Sequence, residues 1–193
     1  MPPTPDKHLE ERILNAALRL CRARGERGLT LRAVARAAGT TTPTVYKRFR
    51  DKATLRVAVA RHIWYELIEH LVASTRLEET YRRYIRYCVE HPEEYRLLTA
   101  AWSEVFGSEP KRPGEVWFRK LLADRFGGTP EEYGPGYYSV FLLCHGASTL
   151  INMASNEGLR TELRENCIAV CDRLIQNVDM LRSGATTPKS DRA

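Results

Sequence analysis

Apolar residues recur along the N-terminal part of the chain at spacings of three and four. Leu9, Ile13, Ala16, Ala17, Leu20 and Cys21 form one stripe, the signature of an amphipathic helix of about four turns. A cationic last turn (Arg22, Arg24) and then Gly25 close it. Thr30 is placed to cap a short second helix over 31–38, with Leu31, Val34, Ala35 and Ala38 facing inward. Gly39 stops that helix. Thr41 then caps a third, with Pro43 in its first turn, where a missing N–H does no harm. The third helix is expected to run through Val45, Tyr46 and Phe49, and a long fourth to cover about 52–74.

The remaining pattern is also helical. One helix runs from Leu77 through Tyr81, Tyr84, Ile85 and Cys88 to His91-Pro92, and Pro92 opens the next, expected over 93–106. Glu109 to Gly114 reads as a loop, 115–125 as a helix ended by Gly127-Gly128, and Thr129-Pro130 as the cap of a further turn. Gly134-Pro135-Gly136 is expected to break the chain. Two long helices, over 137–156 and 160–182 with Gly158 between them, precede a polar tail expected to be disordered. No strand-like alternation or repeat occurs. The expected fold is all-α: an N-terminal three-helix helix-turn-helix domain and a C-terminal bundle, about nine helices in total.

Two short helices joined by a glycine turn are the geometry of a helix-turn-helix. Gly39 supplies left-handed backbone angles without a Cβ clash, and the small Ala35 and Ala38 allow close approach. Val45 and Phe49 seal the underside, which leaves Thr42, Thr44, Lys47 and Arg48 more outward. Charge adds to this picture. Residues 1–61 hold 14 Lys and Arg against 5 Asp and Glu, and the rest of the chain 16 against 19. A basic head on a near-neutral body suits a polyanion partner or a solubilising surface, and charge alone does not choose between them.

Composition narrows the class. Apolar residues are 43% and charged residues 28% of the chain, as in a soluble globular protein. No window approaches the ~20 apolar residues of a membrane span, and the N-terminus lacks the apolar core of a signal peptide, so no membrane partner and a cytoplasmic location are expected. Five cysteines argue against a disulfide framework. Cys167 and Cys171 share a helix face and could in principle hold a metal or form a redox pair. Without a C-x-x-C or Cys/His zinc pattern they read as small hydrophobes in a packed seam, and no metal site is expected.

The register Ile13…Ala16-Ala17, Gly25…Gly28-Leu29-Thr30…Val34-Ala35…Ala38-Gly39…Pro43-Thr44-Val45-Tyr46…Phe49…Lys52…Leu55 resembles the DNA-binding domain of the TetR family of transcriptional regulators. It departs from the usual pattern at Thr40, Thr41 and Arg48. The body resembles the Trp-His-Gly subgroup of that family through His91-Pro92…Tyr95-Arg96-Leu97-Leu98 and Cys144-His145-Gly146, with Cys144 in the place of the tryptophan. The resemblance implies a DNA-binding domain over 1–52, an effector-binding and dimerisation domain over 53–183, and a tail over 184–193. It also implies a homodimeric, ligand-responsive repressor of a palindromic operator, without catalytic residues or cofactor.

In that reading the third helix enters the major groove. Thr41, Thr42 and Thr44 offer hydroxyls and methyls to phosphates or base edges, and Thr30 joins the contact set at the head of the second helix. Tyr46, Lys47 and Lys52 meet phosphates, and Arg48 suits either a guanine or the backbone. The aromatic residues Trp64, Tyr84, Tyr87, Trp102, Trp117, Phe118, Tyr138 and Phe141, with His145, suit either a mostly apolar effector pocket or plain core. Stripes on the last two helices, Val140, Leu143, Ala147, Leu150 and Ile151 with Cys167, Cys171, Leu174 and Val178, suit a two-fold four-helix seam or the chain's own core. The rival readings are a helical adaptor and a cofactor-free enzyme using His145 with Cys144. Adjacent helical residues point about 100° apart, which disfavours that nucleophile–base pair.

Overall fold

Ten α-helices and no strand make up the described residues, 8–107 and 112–182, of the computed structural model. The helices are α1 (Leu9–Arg24), α2 (Leu31–Ala37), α3 (Thr42–Tyr46), α4 (Lys52–Val72), α5 (Leu77–Glu90), α6 (Pro92–Ala100), α7 (Trp102–Phe106), α8 (Pro113–Phe126), α9 (Gly134–Met153) and α10 (Glu157–Gln176). Short 3-10 turns cover Glu26–Gly28, Pro130–Tyr133 and Val178–Leu181. Among the described residues no helix is long and apolar enough to cross a membrane. The expected tail, 184–193, and residues 109–111 of the expected loop lie outside the described residues.

The described residues within Met1–Leu67 and His91–Glu109 form one compact unit, and those within Ile68–Glu90 and Pro110–Ala193 another. In the first, Ile13, Ala16, Ala17 and Cys21 of α1 are fully buried, as are Val34, Val45, Leu55 and Ile63. Burying a branched side chain of this size contributes about 1.5–3 kcal/mol, which explains how helices as short as α2 and α3 persist when neither would be stable alone. Arg22 of α1 pairs with the buried Glu94 of α6 and, at 3.2 Å, with Glu66 of α4. In the second unit Arg82 of α5 holds Asp172 of α10 at 2.8 Å, and Tyr81 donates to the same carboxylate.

Four sequence expectations change. The helix expected over 93–106 breaks at Ala101 (φ −105°, ψ 16°). There the Arg56 guanidinium takes the Ala100 carbonyl at 3.4 Å and Glu104 at 2.6 Å, while Trp102 and Phe106 pack their rings 3.9 Å apart. Gly134-Pro135-Gly136 does not break the chain but begins α9, because proline is harmless in a first turn. Gly158 is not a separator: it lies in the first turn of α10, which Asn156 caps by accepting from Leu159 N at 2.9 Å. Finally, α10 stops at Gln176 rather than 182. The Asn177 side chain donates to Arg173 O at 2.8 Å, competing locally with the helical ladder. The following turn packs closely on α9, where a Cβ on Gly136 would lie 3.0 Å from Leu181 Cβ.

Candidate nucleic-acid interface

The helix-turn-helix is built by three side-chain caps and one glycine. Thr30 Oγ1 accepts from Ala33 N at 3.1 Å and starts α2; Thr41 Oγ1 accepts from Thr44 N at 3.3 Å and starts α3. Between them Gly39 has φ +65°, the conformation that L side chains avoid. Asp51 starts α4 by accepting from Thr54 N at 2.7 Å, a bond that holds its carboxyl below the ordinary carboxylate range. Regular helix ends at Tyr46, but Lys47 N donates to Pro43 O and Phe49 N to Val45 O, so the helical turn carries on to the buried Phe49.

Val45 and Phe49 are buried while Tyr46, Lys47 and Arg48 are exposed, Tyr46 by 52%. Thr30, Thr41 and Lys52 are exposed, and Thr42 and Thr44 are half-buried. The threonines are less free than their exposure suggests. Thr30 is a cap, and the Thr41 and Thr44 hydroxyls bond each other at 2.8 Å, so part of their hydrogen-bonding capacity is already used within the helix-turn-helix. Two features were not legible in the sequence. Arg48 Nη1 lies 3.7 Å from Glu10 Oε2 of α1, an ion pair that a nucleic-acid phosphate would have to displace. Lys52 lines a surface cleft of about 770 Å³ with Arg24, Arg27 and Arg96, opposed by Glu26 and Glu93. Arg24 and Arg27 lie more than twenty residues before Lys52 and Arg96 more than forty after it, so no local pattern joins these four cations.

The nine residues expected around an effector do not form one group. Trp64 and Trp102 pack on Phe106 in the first unit, at 4.7 and 3.9 Å between ring centroids. In the second unit a continuous series of rings runs Trp117–Phe118–Tyr137–Phe141–His145, with Tyr138 against Tyr137. Tyr84 meets Phe141 edge-on, and its hydroxyl lies 3.2 Å from His145 Nδ1. Burial holds the His145 imidazole below its ordinary pKa. Tyr87 stands apart, against His70. Tyr137, absent from the sequence expectation, is the stacking centre of the series.

Of the nine residues expected at a dimer seam, Leu150 alone is exposed. Val140, Ile151, Cys167 and Cys171 are buried within their own unit, and Leu143, Ala147, Leu174 and Val178 are half-buried. The outward apolar face of α9 is instead Leu142, Leu150 and Met153, exposed by 62%, 53% and 76%, with the exposed Gly146 between them. These positions are three and four apart and share one helix face. Leu159 and Val170 of α10 are also exposed. All five cysteines are buried and free, and Cys144 of α9 joins Cys167 and Cys171 of α10, with Cys144 Sγ 3.7 Å from Cys171 Sγ.

Residues 13–59 match the family model for bacterial regulatory proteins, tetR family. No curated protein matches the sequence. A TetR variant from Acinetobacter baumannii AYE in complex with minocycline is similar in structure: TM-score 0.65, 19% identity, 94% of this chain and 100% of that one covered. A TetR transcriptional regulator from Rhodococcus sp. RHA1 gives a TM-score of 0.60 at 21% identity, covering 89% and 97%. The multidrug binding protein EbrR complexed with ethidium gives 0.57 at 21%, covering 88% and 99%. At such identities these likenesses establish a shared fold, which spans nearly the whole of each chain.

Proposed function

We propose that this chain, whose residues 13–59 match the family model for bacterial regulatory proteins of the tetR family, is a homodimeric transcriptional repressor that leaves its operator when a small, mostly apolar effector binds. The observation that carries this reading is α3. Its apolar side is sealed by Val45 and Phe49, and it turns Tyr46, Lys47 and Arg48 outward beside a glycine turn. Residues 1–52 are the DNA-binding part and 53–183 the effector and dimerisation part, with 184–193 as a tail. Lys47, Tyr46 and Lys52 hold phosphates, Thr42 and Thr44 present methyls to base edges, and Arg48 exchanges Glu10 for DNA.

The dimer forms through the exposed face of α9, and two-fold symmetry sets two recognition helices about 34 Å apart in successive major grooves. The effector lies against the aromatic series around Phe141, with the Tyr84–His145 pair as its polar anchor. Similar folds are recorded with minocycline and with ethidium, both ring systems, which supports an aromatic ligand. Effector binding acts on the head by moving α4, whose residues fall in both units. Such coupling is reciprocal, so operator DNA weakens effector binding by the same factor. The test is a mobility-shift assay of the purified protein on DNA flanking its own gene. Binding that specific but not random DNA competes away supports the reading. Equal competition by both contradicts it.

A further inference from the structure

Cys144, Cys167 and Cys171 meet inside the second unit, from two different helices. Their three Sγ atoms lie within 4.8 Å of one another, and the residues are 2%, 4% and 0% exposed. Cys167 and Cys171 stand one turn apart on α10, and Cys144 faces them from α9, its Sγ 3.7 Å from that of Cys171. Three sulfurs bound to one ion by bonds of about 2.3 Å stand roughly 3.4–4.0 Å apart, the shorter spacing for a pyramidal ion. The triad is therefore at coordination spacing, within changes of side-chain rotamer. No fourth His, Cys, Asp or Glu joins the group among the described residues. That count disfavours structural zinc, which takes four ligands.

Charge selects further. Three thiolates leave a monovalent ion at −2 and a divalent one at −1, and an uncompensated charge in an apolar interior is costly. The acidic neighbour of the triad, Asp172, has its carboxylate engaged by Arg82 and Tyr81 and supplies no fourth ligand. A trivalent ion gives a neutral complex. We propose that Cys144, Cys167 and Cys171 form a binding site for a trivalent thiophilic ion of the arsenite class. Arsenous acid, As(OH)3, is uncharged, so it enters the seam without desolvating an ion. Three S–H and three As–O bonds break, three As–S bonds form, and each thiol proton leaves with a hydroxide as water. Arsenic stays trivalent, and no oxidant is needed. The site stands independently of the operator reading, whether or not the head binds DNA.

The test is anaerobic titration of the reduced full-length protein with arsenite, followed by the sulfur-to-arsenic absorption band in the ultraviolet and by native mass spectrometry. The expected result is one arsenic per chain. Cys144→Ala, Cys167→Ala and Cys171→Ala each weaken binding by more than the roughly 10–100-fold that loss of an outer partner costs a metal site. The Cys21→Ala/Cys88→Ala double variant, which spares the triad, keeps full binding. Circular dichroism checks that each variant is folded. X-ray absorption on the arsenic-loaded wild type, which needs no variant, is expected to show three sulfur neighbours. A mixed sulfur and oxygen shell, binding that survives Cys144→Ala, or zinc or copper(I) binding at the triad in place of arsenite would overturn the proposal.

Discussion

Replacing Leu150 with glutamate places a charge in the middle of the outward apolar face of α9. Leu142, Leu150 and Met153 are exposed by 62%, 53% and 76%. Full burial of such a side chain contributes about 1.5–3 kcal/mol, so covering the exposed half to three-quarters gives about 1–2 kcal/mol apiece. In the proposed dimer a two-fold interface counts each residue twice, so the Leu150 pair would contribute about 2–3 kcal/mol. Leu150→Glu removes that and also brings two carboxylates into an apolar seam, which adds a desolvation cost. At about 1.4 kcal/mol per tenfold, the lost apolar burial alone should raise the dimer dissociation constant about 30- to 100-fold, and the carboxylates raise it further. Sedimentation equilibrium over a range of concentrations measures it. Val116→Glu, at an equally exposed position on α8 (54%), is the control and should leave association unchanged. A Leu150→Glu protein with the wild-type association constant would refute the assignment of this face.

Two further predictions concern the turn and a buried titratable group. Gly39→Ala should cost about 1–2 kcal/mol in urea unfolding. Its φ of +65° strains an L residue, yet nothing lies within 4 Å of the added Cβ; no loss would show that the turn relaxes freely. His145 is held below its ordinary pKa by burial, so the unfolded chain binds that proton more readily. Its contribution to stability is present above the unfolded value of about 6.5 and is lost as pH falls through the lower folded pKa. His145→Gln should accordingly flatten the acid side of the stability profile, measured as urea midpoints, and an unchanged slope would count against burial as the cause.

Local rules made the head legible. Thr30, Gly39, Thr41 and Pro43 each carry a mechanism that depends on near neighbours, and each acts in the structure as a cap, a turn or a first-turn residue. What escaped depends on distance along the chain. The helix break at Ala101 lies where Arg56, 44 residues before Ala100, donates to that residue's carbonyl. Cys144 could not be joined to Cys167 and Cys171 by spacing, since it sits on another helix. The dimer stripe shows a different limit. Helices α9 and α10 are apolar on more than one side, and periodicity identifies stripes without saying which one the chain keeps for its own core. Val140 and Ile151 went inside, Leu142 and Met153 outside.

In the proposed complex α3 meets DNA and Lys47, at its C-terminal end, holds a phosphate. Fluorescence anisotropy of the protein on its own flanking palindrome, from about 50 to 200 mM salt, tests it for the wild type and Lys47→Ala. Each phosphate contact contributes about 0.9 to the slope of log K against log salt, so a dimer losing two should lose about 1.8. Across that fourfold range the variant's affinity should then fall about tenfold less than the wild type's. An unchanged affinity and an unchanged slope for Lys47→Ala would contradict a Lys47–phosphate contact.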